Sequence, residues 1–179
     1  IINRIVEVKT PYTDIKGLSD EEIMSYLRGI HYTQNTDTMY VVHQKYPPRK
    51  LTRSSHTKWD FKTFTRTSDY MTGEGKYPGS VAFDGAGRLI YSKFLDEPDL
   101  VLMSRGPDSK TGSQRYDDFT TGDLANDAIK MYLASTDGRV LVVKWLTVNN
   151  RYFLVGTESG LLRLVPSDGY DNAFSAETL

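Results

Sequence analysis

The chain has 179 residues, with 22 Lys and Arg against 23 Asp and Glu, a formal charge of -1, so no global basic field exists to hold nucleic acid or an anionic membrane. Cysteine is absent, which excludes a disulfide framework, a thiolate zinc site and a cysteine nucleophile together. The length suffices to bury a core without staples, and no stretch approaches the roughly 20 apolar residues of a membrane-crossing helix. Ile1-Ile2-Asn3-Arg4 lacks the order of a signal peptide. With no initiator Met and no evident end signal at Ser175-Ala176-Glu177-Thr178-Leu179, the chain reads as a fragment of something longer.

With 12 Tyr and 7 Phe beside many Thr and Val, the composition favours strands, because such side chains pack well on a pleated surface. One helix stands out within an N-terminal segment, residues 1–36. Ser19-Asp20-Glu21-Glu22 has the capping-box spacing, in which the Ser19 hydroxyl accepts from the Glu22 N–H while the Glu22 carboxylate reaches back. Ile23, Met24 and Leu27 supply an apolar stripe and Gly29 a stop, which predicts a helix over residues 20–28. Residues 37–179 read as a β-domain. The run 39–43 is closed by Tyr46-Pro47-Pro48, with the prolines as the turn and residues 50–53 as the return strand. Residues 80–83 and 88–92 flank Asp84-Gly85-Ala86-Gly87 and predict a hairpin, to which residues 100–104 add a third strand. The C-terminal part repeats the plan: Val140 to Leu146, a turn at Asn149-Asn150, residues 151–155, a turn over residues 156–160, then residues 161–164.

Three strand-turn-strand units are thus visible, centred near Tyr40, Ile90 and Leu154. Their spacing approaches the ~40–50 residues of a propeller blade once an insertion is allowed. Residues 105–127 are that insertion, a polar loop with few apolar residues to hold it down and so expected to be disordered in isolation. The expected fold is mainly β, of antiparallel propeller-like blades, an incomplete propeller with one short N-terminal helix. A β-sandwich is the alternative, since strand-turn-strand patterns recur there without symmetry. Three units do not close a ring of ~4–8 blades, so the remaining blades are expected outside these residues or on another chain.

The catalytic inventory is thin. The 3 histidines, His31, His43 and His56, form no H-E-x-x-H pattern. Ser54-Ser55-His56 sets hydroxyls beside an imidazole, yet sequence neighbours point apart and a triad is a spatial object. Residues 106–112 hold a Lys-Thr pair without the order of a phosphate loop. Asp96-Glu97-Pro98-Asp99 and Asp168-Gly169-Tyr170-Asp171-Asn172 gather oxygen atoms without the EF-hand order and read as solvated loop acids. A carboxylate pair for glycoside hydrolysis is defined in space, and no pair is singled out. No catalytic residue, metal ligand or cofactor is expected.

One local charge feature remains. Arg49, Lys50 and Arg53, with His56 and Lys58, lie between Tyr46 and Trp59. On a strand they would form a positive stripe able to touch phosphate or an acidic neighbour, which makes Tyr46, Arg49, Lys50, Arg53 and Trp59 the candidate interaction surface. The ordinary alternative is a set of charges guarding a sheet edge. Trp59 and Trp145 read as packing aromatics, with sugar stacking as the alternative for an exposed one.

Thr10-Pro11-Tyr12 is followed by Tyr32-Thr33-Gln34-Asn35-Thr36-Asp37-Thr38-Met39-Tyr40-Val41-Val42-His43, by Tyr46-Pro47-Pro48-Arg49-Lys50-Leu51-Thr52-Arg53 and by Trp59. Tyr77-Pro78-Gly79-Ser80-Val81-Ala82-Phe83 with Arg88-Leu89 comes next. Met103-Ser104-Arg105, Asp117-Asp118-Phe119, Asp127-Ala128-Ile129, Trp145-Leu146 and the run from Leu154 to Gly160 follow in order. This series spans nearly the whole chain and resembles a family of bacteriophage and prophage virion proteins, departing from it at Gln44 and Leu161-Leu162. The resemblance implies a β-propeller and a virion component, similar by analogy to the tail hub or nozzle of short-tailed phages. The expectation is a structural protein, not an enzyme, assembled in the bacterial cytoplasm and carried in the phage tail. Its partners would be copies of itself in a ring, a hexamer in that analogy, neighbouring tail, portal or adaptor proteins, and transiently the passing DNA. A path that lets DNA slide avoids many phosphate contacts, so Arg49, Lys50 and Arg53 are expected off the bore. The rival expectation is a receptor- or carbohydrate-binding tail module using Tyr46, Trp59 and Tyr77.

Overall fold

A computed structural model describes residues 6–12, 16–64, 70–71, 73, 75–83, 87–124, 126–133, 140–146, 152–166 and 174–178, with backbone alone for 140–146, 152–154, 162–166 and 174–178. Asp84, Gly85, Ala86, Asn149, Asn150, the acidic loop at Asp168 and the side chain of Trp145 lie outside the described residues. The capping box forms as its spacing requires, opening helix α1 (Asp20–Arg28): the Glu22 N–H donates to Ser19 Oγ at 3.3 Å and the Ser19 N–H to Glu22 Oε2 at 2.8 Å. Three acids in the first turn and Arg28 in the last match the helix dipole. The buried residue, however, is Tyr26, while Met24 and Leu27 are 49% and 43% exposed. The helix docks by this edge because the surface it meets is aromatic: the Tyr26 ring lies 4.7 Å from His43 and 6.2 Å from Tyr46. Gly29 is right-handed, with φ -73, so the stop needs no positive φ. What requires glycine there is space, since a Cβ would lie 3.0 Å from His43 Nε2.

Among the described residues twelve strands follow, in three antiparallel sheets of four. The first runs in chain order through β1 (His31–Asn35), β2 (Thr38–His43), β3 (Tyr46–Arg53) and β4 (Trp59–Thr63). Its opening hairpin spans residue 36, so β1 belongs to the β-structure and not to the N-terminal segment. Pro47 and Pro48 lie inside β3, with the turn moved back to Gln44 and Lys45. Pro47 is tolerated where the β2–β3 ladder is irregular, between Val41 and His43. Pro48 turns toward β4, where its carbonyl still accepts from the Phe64 N–H at 2.8 Å near the start of the strand. The second sheet is β5 (Ser80–Phe83), β6 (Leu89–Ser92), β7 (Leu100–Met103) and β8 (Ile129–Tyr132). The third is β9 (Val140–Leu146), β10 (Tyr152–Thr157), β11 (Leu161–Pro166) and β12 (Phe174–Thr178).

Each sheet is a consecutive meander, the unit from which propeller blades are made. The three stack through their first strands, β1 against β5 and β5 against β9. Alternation along β2 sends Tyr40 and Val42 toward the second sheet, where they join Val81, Leu89, Tyr91, Leu100 and Leu102 in the largest core. The opposite side of the second sheet supplies Ile90, Val101 and Met103, which meet Leu133 and Val155 of β10. β6 and β7 are therefore buried at every position, as continuous apolar strands covered on both faces should be. The fold is mainly β with one short helix, and the three sheets do not close on themselves.

Residues 105–127 are not the free polar loop that their composition suggests. Phe119 is fully buried in the main core, its ring 5.5 Å from Tyr91, and Tyr116 packs edge-on against Tyr40 and Phe83 while its hydroxyl accepts from Asn35 Nδ2 at 2.7 Å. Two arginines tie the segment's ends. Buried Arg88 donates to the carbonyls of Ser104 at 2.8 Å and Asp127 at 2.6 Å, and Arg105 bridges the Asp118 and Asp127 carboxylates. Two aromatic anchors and one charge network outweigh the polar count because each lands in a site already walled by strands.

Candidate interaction surface

The basic stripe is divided by the pleat. Side chains alternate along β3, so Arg49 and Arg53 share a face with Leu51, and Lys50 points to the other. Register confirms the division: Arg49 pairs with Val41 and Thr63, Leu51 with Met39 and Phe61, and Arg53 with Trp59, whereas Lys50 pairs with Tyr40 and Lys62. Each cation already has company. Arg53 Nε lies 3.1 Å from Asp37 Oδ1 and its guanidinium 6.0 Å from the Trp59 ring. The Arg49 guanidinium stands 5.6 Å from the Phe61 ring, and Lys50 Nζ is 5.9 Å from Phe64. His56 and Lys58 lie in the exposed turn before β4, where the Ser54 N–H donates to the Lys58 carbonyl at 2.9 Å and Trp59 Nε1 donates to the His56 carbonyl at 3.3 Å.

Tyr46 sits at the far end of β3, inside an aromatic cluster that fastens α1 to the outer face of the first sheet. Its ring packs edge-on to Tyr12 at 5.5 Å, and its hydroxyl accepts from that of Tyr26 at 2.5 Å. Burial pushes the Tyr12 phenol up to about 12 against the lowering field of Arg49. His43 holds the helix end. The Lys45 N–H donates to Nδ1 at 3.1 Å, which puts the imidazole proton on Nε2, 3.2 Å from the Tyr26 carbonyl near the helix C-terminus. The Tyr26 carbonyl, which also accepts from the Gly29 N–H at 3.0 Å, thus ties the helix end to the sheet. Burial lowers the pKa of this imidazole, with Lys45 adding to the effect and the bond to Tyr26 opposing it.

The structure thus separates the expected residues: Arg49, Arg53 and Trp59 on the outer face, Lys50 on the inner face, and Tyr46 drawn into the helix contact. It also exposes a feature that residue counting misses. The outer face of the first sheet is covered by Tyr12 and Tyr26 only at its Val41 end. Beside Val41 on the edge strand, Tyr32 is 62% exposed. Toward the other end Trp59 is 38% exposed and Leu51 half-buried, while Met39 and Phe61 still pack against the cluster, the Phe61 ring 6.2 Å from Tyr12. The signal for it in the sequence is the pairing of Met39, Leu51 and Phe61 across three strands, which needs β4 to be recognised as a strand. Among the described residues no group of three or more His, Asp and Glu is arranged to hold a metal ion, and no helix is long and apolar enough to cross a membrane. No protein-family model and no curated protein matches the chain.

Proposed function

We propose that this chain is a structural subunit of a phage tail, without enzymatic activity, whose sheets are successive blades of an incomplete propeller. It assembles with copies of itself into a ring around the DNA exit path, in contact with neighbouring tail, portal or adaptor proteins, and belongs to the virion after assembly in the bacterial cytoplasm. The observation that carries this reading is the half-open outer face of the first sheet. Within the stack, faces of this kind are buried by the next sheet, so the exposed Tyr32 and Trp59 and the half-buried Leu51 present a surface suited to another sheet. The ordered resemblance to virion proteins supports the same reading.

The basic residues agree with a sliding path. Arg53 is paired with Asp37, and Arg49 and Lys50 stand on opposite faces of β3, so the three offer no continuous positive stripe to a passing phosphate backbone. Carbohydrate binding through Tyr46 and Trp59 is disfavoured, because these residues sit at opposite ends of β3, about 23 Å apart at about 3.3 Å per residue. Light scattering and negative-stain imaging of the purified chain test the proposal. A ring with a central hole is expected, and a stable monomer at assembly concentrations would overturn it. Density placing Arg49, Lys50 and Arg53 in the lumen would overturn the DNA-path version.

A further inference from the structure

The third sheet is apolar at positions on both of its faces. Val155 meets the second sheet, where it packs with Ile90, Val101 and Met103, and register sets Val143 and Leu162 beside it. Alternation then places Leu154 on the far face, with Tyr152 and its partner Leu146 in the next row and Val142 and Leu161 about Gly156 on the other side. Among the described residues no element packs on that far face, and Leu161 is 42% exposed.

Strands that are apolar at successive positions belong between two layers. β6 and β7 are the example in this molecule, buried throughout with a sheet on either side. β9, β10 and β11 carry the same kind of run, Val-Leu-Val-Val at 140–143, Tyr-Phe-Leu-Val at 152–155 and Leu-Leu at 161–162. The far face of the third sheet therefore calls for a cover that the described residues do not supply.

The first sheet has the matching deficit. α1 and Tyr12 cover the Val41 end of its outer face, leaving the half-buried Leu51 and the exposed Trp59 on the rows beyond. Two copies joined about a two-fold axis bring like faces together. A first-to-first joint sets Arg49 and Arg53 against a second pair of the same arginines, a third-to-third joint leaves the first sheet open, and neither covers both faces. A first-to-third joint uses both faces at once. It also repeats the step by which β5 already packs on β1 and β9 on β5.

On the reading of these sheets as successive blades of an assembling subunit, we infer that the far face of the third sheet in one copy docks on the outer face of the first sheet in the next. Leu154 and Leu51, each on an inner strand, lie near the centre of the joint. The contact is head-to-tail, so it leaves one unused face of each kind on every open assembly and passes from copy to copy until the ends meet.

Sedimentation velocity on the full chain and two variants tests the joint. Leu51→Arg adds a third arginine to the outer face of the first sheet, and Leu154→Arg places a charge between Lys144 and Arg163, so each blocks one side of the joint and spares the other. Either variant alone should associate at least about tenfold more weakly than the parent, as a charge buried without a partner requires. Mixed in equal amounts, the two should give a dimer of one of each and nothing larger, because one keeps its third sheet and the other its first. That rescue would also show that both variants fold; should Leu154→Arg lose its circular dichroism, Leu161→Arg, at an exposed position of the same face, replaces it. Parent-like association of either variant, or a mixture that stays monomeric although both variants fold, would overturn the inference and leave the ring reading standing. Open head-to-tail chains of the parent would uphold the joint and overturn the ring, and a parent that stays monomeric would overturn both.

Discussion

The first and second sheets have the same four-stranded meander but opposite surroundings. In the second, β6 and β7 are buried at every residue because another sheet lies on each side. In the first, β1 alternates between half-buried and exposed positions, β4 is exposed except at Phe61, and only one face is packed by a sheet. The difference teaches that strand hydrophobicity here reports the number of neighbouring sheets, not the stability of the strand itself. A sheet with one uncovered face is where partners are found, and a sheet with two covered faces is where stability resides.

The sharpest way to break this comparison is to hollow the shared core. Phe119→Ala removes a fully buried ring between the two sheets and is expected to cost about 3–5 kcal/mol in chemical denaturation. A loss below about 1 kcal/mol would show that residues 105–127 lie outside the core after all. Asp127→Ala leaves Arg105 without its buried partner and should cost about 3 kcal/mol, with new proteolytic cleavage confined to residues 105–127. The contrast between faces is tested by a pair of truncations. Val42→Ala, facing the second sheet, should cost about 2 kcal/mol, and Leu51→Ala, on the half-open face, under about 1 kcal/mol in the dispersed chain. Equal losses would mean that the outer face is already covered.

A gentler probe is pH. Burial keeps His43 neutral and places its folded pKa below the ordinary 6.5. Above that value neither the folded nor the unfolded chain is protonated, and stability is complete. As pH falls through it the unfolded chain takes up the proton first, so stability declines until the folded value is passed. Melting temperature should therefore fall on acidification, and His43→Gln should flatten the decline; an unchanged slope in that variant would assign the effect to other groups. A similarly small effect is expected from Ser19→Ala, about 1 kcal/mol, through loss of the helix cap. Its checking measurement is amide exchange in α1, and unaltered exchange would show that the helix is held by Tyr26 alone.

What was legible in the sequence follows the same division. The runs that became β2, β5, β6, β7, β9, β10 and β11 carry enough apolar residues to announce themselves, and α1 is marked at its start by a capping box that depends only on local spacing. The strands β1, β4, β8 and β12 were not seen, because in each the apolar residues stand singly or in a pair among polar ones, and β1 and β4 have no buried position. Pro47 and Pro48 suggested a turn because proline is usually excluded from sheet interiors, and the pairing that admits them, irregular toward β2 and at the end of the ladder toward β4, is a tertiary fact. The stripe of Arg49, Lys50 and Arg53 looked continuous because its spacing was read as alternation, when residues 49 and 50 must point to opposite faces. Residues 105–127 looked mobile by composition, although two aromatic side chains suffice to fix them.

The pair of prolines in β3 has a consequence for how copies of such a chain avoid sticking wrongly. On the side facing β4, the Pro48 carbonyl accepts from the Phe64 N–H at 2.8 Å, but proline has no N–H to return the bond. If β4 frays, the edge laid bare has an acceptor without a donor near its beginning. A foreign strand entering there finds a broken ladder and gains less than β4 does on closing again. Strand exchange between crowded neighbours is discouraged by the backbone itself, while association through side chains on the sheet face is left untouched.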